Sequence, residues 1–174
     1  VVKPLALHVK IVVLAADGTA VNVVVPSTHP IDVNRLTLLP TDGTVSFKSD
    51  AKVEVAQDFT LANNVTLTLN AFDEPNVFAG NFDIESGGVL THDQLKKLNL
   101  SVGGDMTIAS GGRVTADRKG YSPGGAPAGY SAMFYGGSMS ESCLDCYGSV
   151  FNPADWGAGG GGSKYGGGVV MIDV

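Results

Sequence analysis

The sequence predicts an all-β chain folded as a β-solenoid, a coil of short parallel strands. Two observations carry this: a turn pair that recurs at near-constant spacing, and alternating apolar and polar residues between the turns. The pairs are Asp17-Gly18, Asp42-Gly43, Asn63-Asn64, Gly87-Gly88 and Gly111-Gly112, at steps of 25, 21, 24 and 24 residues. A fixed period of this size marks a stacked repeat. The flanking text repeats as well. Phe82-Asp83-Ile84-Glu85-Ser86-Gly87-Gly88-Val89 aligns with Met106-Thr107-Ile108-Ala109-Ser110-Gly111-Gly112-Arg113, and Phe59-Thr60-Leu61-Ala62-Asn63-Asn64-Val65 is the same phrase one residue shorter. Leu38-Leu39-Pro40-Thr41-Asp42-Gly43-Thr44-Val45 is a looser copy.

Taken in chain order, Lys52–Val55, Asn64–Leu69, Asn99–Val102 and Asp105–Ile108 alternate with period two, which buries one face of a strand and wets the other. The turn pairs suit sharp corners because Gly, Asn and Asp accept positive φ. The same pairs suit hairpins, so an antiparallel β-sandwich is the alternative fold. Thr91–Leu98 (THDQLKKL) reads as one or two helical turns capped by Thr91, or as a loop. Stacking residues 1–116 as rungs places Leu38, Leu61, Ile84 and Ile108 in one inward column and Phe59, Phe82 and Met106 in the next.

Composition changes at Asp117. Residues 117–168 hold 15 of the 24 glycines, all five tyrosines and the single tryptophan. An excursion of this length is functional or disordered. The interleaved aromatics bring apolar area that favours an ordered excursion packed on the solenoid, and the glycine density favours disorder. Residues 169–174 (VVMIDV) read as a closing strand, so the chain is one structural domain of rungs, excursion and closing strand.

The run from Gly103 to Tyr121, with Ile108-Ala109-Ser110-Gly111-Gly112 and Ala116-Asp117, is followed by Tyr147-Gly148-Ser149, Pro153, Asp155, Gly157 and Gly159 to Gly162. This text resembles the glycine-rich β-helical repeats of large secreted or cell-surface proteins of adhesin-like or fibre-like type, over about residues 98–174. Arg118 stands where those repeats carry Gly, so the turn after Asp117 departs from their pattern. The resemblance implies an extracellular module and names no ligand.

Charge narrows the partners. The chain of 174 residues has only 16% charged residues and a formal charge of −6, with no basic cluster to attract nucleic acid or an anionic membrane. No apolar run is long enough to span a bilayer. The first residue is Val and no signal-peptide pattern is visible, which reads as a mature product or an excised piece.

Residues that could carry chemistry are few. Cys143 and Cys146 form one Cys-Leu-Asp-Cys pair, read as a structural disulfide; a redox pair or a zinc site lacks its sequence context. Asn64-Val65-Thr66 and Asn99-Leu100-Ser101 are glycosylation sequons, against unmodified turn residues as the plainer reading. His8, His29 and His92 keep no ligand spacing and read as surface or turn residues, and no nucleophile elbow or phosphate loop occurs. Stacking brings Asp58, Asn81 and Asp105 into one oxygen-rich column, a weak calcium candidate and otherwise a polar corner. Arg113, Asp117, Arg118, Tyr121 and Trp156 gather around the start of the excursion as a weak sugar-binding groove.

Two function classes follow. One is a non-catalytic extracellular structural or adhesive module, with no cofactor, that associates with copies of itself through its unpaired end strands. The other is a carbohydrate-binding or polysaccharide-degrading β-helix protein, which rests on fold analogy.

Overall fold

The computed structural model describes residues 10–15, 18, 20–40, 43–130, 147–149 and 154–174. It is all-β, a parallel β-solenoid of about four turns. Among the described residues fifteen strands come in five layers of three. They are β1 (Lys10–Ala15), β2 (Ala20–Val25), β3 (Ile31–Val33); β4 (Arg35–Pro40), β5 (Thr44–Ser49), β6 (Val53–Val55); β7 (Phe59–Leu61), β8 (Val65–Leu69), β9 (Asn76–Phe78); β10 (Phe82–Ile84), β11 (Val89–Thr91), β12 (Lys97–Val102); and β13 (Met106–Ile108), β14 (Arg113–Thr115), β15 (Val169–Asp173).

Each layer lays one strand on each of three faces, and every pairing is parallel. The second face runs β2-β5-β8-β11-β14 and the third β3-β6-β9-β12-β15 without a break. The first face is divided into β1-β4 and β7-β10-β13. Parallel pairing throughout excludes the antiparallel sandwich, because hairpins would join sequential strands side by side.

Register explains the core. Phe82 lies between Phe59 and Met106, and Ile84 between Leu61 and Ile108. An inward side chain therefore meets its equivalent one layer away at about 4.8 Å. Phe59, Phe78 and Phe82 meet in one aromatic cluster with ring centroids 4.7–5.1 Å apart. Leu38, Leu61 and Ile84 are at most 1% exposed. Ile108 shares their register but is 49% exposed. It belongs to the last layer of its face, and among the described residues no strand pairs above it. The expectation that it would be buried was wrong for that reason.

Corner residues adopt the geometry that the turn pairs require. Gly18, Asn64, Gly87 and Gly111 all have φ between 60° and 89°. The stretch after β11 forms no helix: His92–Lys96 is a loop, with Leu95 at φ 55°, that leads into β12.

The excursion is tied down through its backbone. Gly120 N–H donates to Gly166 O, Tyr121 N–H to Gly157 O, and Gly157 N–H to Gly167 O, at 2.8–3.0 Å. A Cβ on Gly166 would fall on the Gly157 carbonyl, so these strands of backbone approach too closely for any side chain. The glycine density that could have meant disorder is here a condition of close packing.

Position in the stack sets the energetic weight of a column residue. Ile84→Ala should cost about 2–5 kcal/mol, the range for a truncated, well-packed core aliphatic. Ile108→Ala should cost about 1 kcal/mol, since only part of its transfer energy is realised. Urea unfolding of the two variants checks this; equal losses would contradict a register-defined core.

Candidate functional site

The polar corner column forms as a hydrogen-bond ladder. Asn81 N–H donates to Asp58 Oδ1 at 2.7 Å, and Asp105 N–H donates to Asn81 Oδ1 at 2.9 Å. One side-chain oxygen in each of the two lower layers thus caps a backbone donor of the layer above. Arg35 lines the same shallow cleft as Asp58, an unfavourable neighbour for a cation. Among the described residues no three His, Cys, Asp or Glu side chains converge on one point. The column reads as structural support for the corner.

A second ladder stands at the corner between the second and third faces. Asn70 Nδ2 donates to Asp50 Oδ1 at 2.6 Å and to Asp93 Oδ2 at 2.9 Å, while Asn70 Oδ1 accepts from Asp93 N–H at 2.8 Å. Lys48 Nζ lies 2.5 Å from Asp93 Oδ2. Partial burial pushes the Asp93 carboxyl up, but the hydrogen bonds from Lys48 and Asn70 and the charges of Lys48 and Lys119 outweigh it and hold the group below its ordinary value. Lys48 is raised in turn, first by its hydrogen bond to Asp93. Sequence reading missed this ladder because its members sit at unequal steps, 20 and 23 residues apart.

Of the five residues of the predicted groove, Tyr121 and Trp156 are in contact. Tyr121 and Trp156 meet edge to face at 6.2 Å, and Tyr121 meets Tyr147 in the same way at 6.3 Å. Tyr147 Oη donates to Trp156 O at 2.8 Å. Trp156 Nε1 donates to Lys96 O at 2.8 Å, which pins the excursion to the solenoid wall. Arg118 instead lies over the Tyr165 ring, 4.9 Å from its centroid. It has φ 59°, the conformation a glycine would take without strain. Arg113 and Asp117 are exposed, and Arg113 is paired in register with Val89 on the second face.

Trp156 borders a cleft of about 360 Å³ that also includes Asp50, Asn70, Phe72, Asp73 and Lys97. The Lys97 ammonium sits 4.4 Å from the Phe72 centroid and 4.9 Å from that of Trp156. The aromatic faces of this cleft are therefore already engaged by a cation of the chain itself.

Of the two sequons, Asn64 is exposed at its turn, whereas Asn99 is half-buried and its Nδ2, the atom a glycan would use, donates to Phe72 O at 3.0 Å. Cys143 and Cys146 lie outside the described residues.

The least satisfied surfaces are the two ends of the stack. At the last layer Ile108 and Ile172, 49% and 36% exposed, stand in register with buried Ile84 and Leu100. Val170, paired with buried Leu98, is 38% exposed, and Met106 and Val114 are only partly covered. At the first layer an open hollow of about 430 Å³ is lined by Val23, Val25, Ile31, Val33 and Phe47, with His29, Pro30 and Asp32 at its edge.

No protein-family model, curated protein or solved structure matches this chain. The likeness to glycine-rich surface proteins accordingly rests on the residues quoted above.

Asn81→Ala should cost about 1 kcal/mol, the net value of one hydrogen bond at an exposed corner. The loss should be the same with calcium and with a chelator. A calcium-dependent difference in thermal unfolding would restore the metal reading of Asp58, Asn81 and Asp105.

Proposed function

We propose that this chain is a non-catalytic structural or adhesive module of the extracellular space or cell surface, which stacks head to tail with copies of itself. The observation that carries the reading is the unfinished core at both ends. The inward columns stop at Met106, Ile108, Val114, Val170 and Ile172 with apolar surface still open. The opposite end presents an apolar hollow built from the same kind of inward position. Among the described residues, strands β13, β14 and β15 each lack a paired strand on their outer edge, and such edges must be covered or paired. The two ends are different surfaces of one molecule, so their contact is heterologous and does not close, which yields a filament. The polar side chains support the structural reading, since the two corner ladders spend them on backbone and on one another.

A carbohydrate-binding role is the second reading, favoured by the cleft beside Trp156. It ranks below the first because a sugar ring would have to displace Lys97 from the two aromatic faces.

Sedimentation velocity and electron microscopy over a dilution series test the proposal. The natural chain should form particles that grow with concentration. The double variant Ile108→Asp/Ile172→Asp should stay monomeric with unchanged circular dichroism, while Val24→Asp, on the exposed side of β2, should assemble normally. A natural chain that is monomeric throughout the series would defeat the reading.

A further inference from the structure

His92 is the one histidine among the described residues that is fully buried. It follows β11 in the inward column, where register places it above Leu69. Its Nδ1 lies 2.7 Å from Asp93 O. A carbonyl only accepts, so Nδ1 carries the proton of the neutral ring. Nε2 is then a bare acceptor, and it is buried with no hydrogen-bond partner.

What covers Nε2 is the end of the excursion. A Cβ on Gly168 would fall on His92 Cε1 and Nε2, and would also crowd Lys119 Cβ. Gly168 N–H donates to Ala116 O at 2.8 Å, which holds this backbone in place immediately before β15. A side chain at 168 would collide with the ring, so this position requires glycine.

We propose that His92 is an acid-sensitive latch, whose protonation at Nε2 releases the Gly-rich excursion and its return strand β15 from the end of the solenoid. The added proton creates a buried N–H with no acceptor and a buried charge with no counter-ion, both costly. The surrounding charges do not rescue it. Asp93, on its own loop, favours the imidazolium, but that carboxylate is already engaged by Lys48 and Asn70. Lys119, from the turn after β14, opposes it. Asp50 is held in the same corner network through Asn70, and Gly168 brings no charge. Burial sets the His92 pKa below its ordinary 6.5; the hydrogen bond to the Asp93 carbonyl and the Asp93 charge oppose it, and Lys119 adds to it.

The sign follows from that direction. Above pH 6.5 both docked and released forms are neutral and the latch holds. As pH falls below 6.5 the released form takes a proton that the docked form resists, so docking weakens by up to about tenfold per pH unit. The loss levels off once pH passes below the lowered pKa of the docked form.

Trp156 is the only tryptophan and lies in the excursion, against Lys96 O, so its emission reports docking. Acidification from neutral pH should shift the emission to that of a solvated indole, while far-ultraviolet circular dichroism keeps the solenoid signal. His92→Leu, which can stack on Leu69, should abolish the shift, and His29→Gln should retain it. An emission that is flat with pH, or an unchanged shift in His92→Leu, overturns the proposal. Should His92→Leu fail to fold, NMR titration of the natural chain decides: a His92 imidazole that titrates at its ordinary value overturns it as well. The measurement is made at a concentration where the chain is monomeric, so that end-to-end stacking does not hold β15 in place.

Discussion

The whole molecule depends on one constraint: every inward side chain must rest on its counterpart one layer away. Parallel strands at fixed spacing leave no room for independent choices. A phenylalanine at 59 calls for an apolar partner at 82, and that in turn for one at 106. The same rule governs polar corners, where Asp58, Asn81 and Asp105 stand in line, each of the first two accepting from the backbone above. Burial follows from place in the column as much as from residue type, which is why Ile84 and Ile108 differ so widely in exposure.

Much of this fold was legible in the sequence because the constraint writes itself as repetition. The turn pairs and the Phe-x-Leu, Phe-x-Ile and Met-x-Ile phrases gave the register of β7, β10 and β13 directly. What the repeat does not encode is where the stack stops, so Ile108 looked like any other core position. The Asp50-Asn70-Asp93 ladder escaped because the corner between the second and third faces varies in length, and unequal steps hide a shared position. His92 escaped for a different reason. Read alone, it looks like a turn residue; only the register that sets it over Leu69, and the arrival of Gly168 from far along the chain, show it to be core.

The excursion shows how glycine can order a chain. At Gly120, Gly157 and Gly166 the backbone segments lie close enough to bond directly, with no side chain between them. Tyr121, Tyr147 and Trp156 then supply the apolar area that the glycines lack. The predicted groove combined aromatics that fasten the excursion inward with Arg113 and Asp117, which are exposed. Arg118 takes a third part, lying over Tyr165 within the excursion itself.

The corner ladder has a direction. Asp58 receives from Asn81, and Asn81 from Asp105, never the reverse. A rod built this way is polar in the sense that an arrow is: turned end for end, its donors and acceptors no longer match. Asp105 holds the same corner position in the last layer and is exposed there. A further layer of backbone set there in the same register would find a carboxylate at the position from which Asp58 and Asn81 accept, so the corner distinguishes one end of the stack from the other.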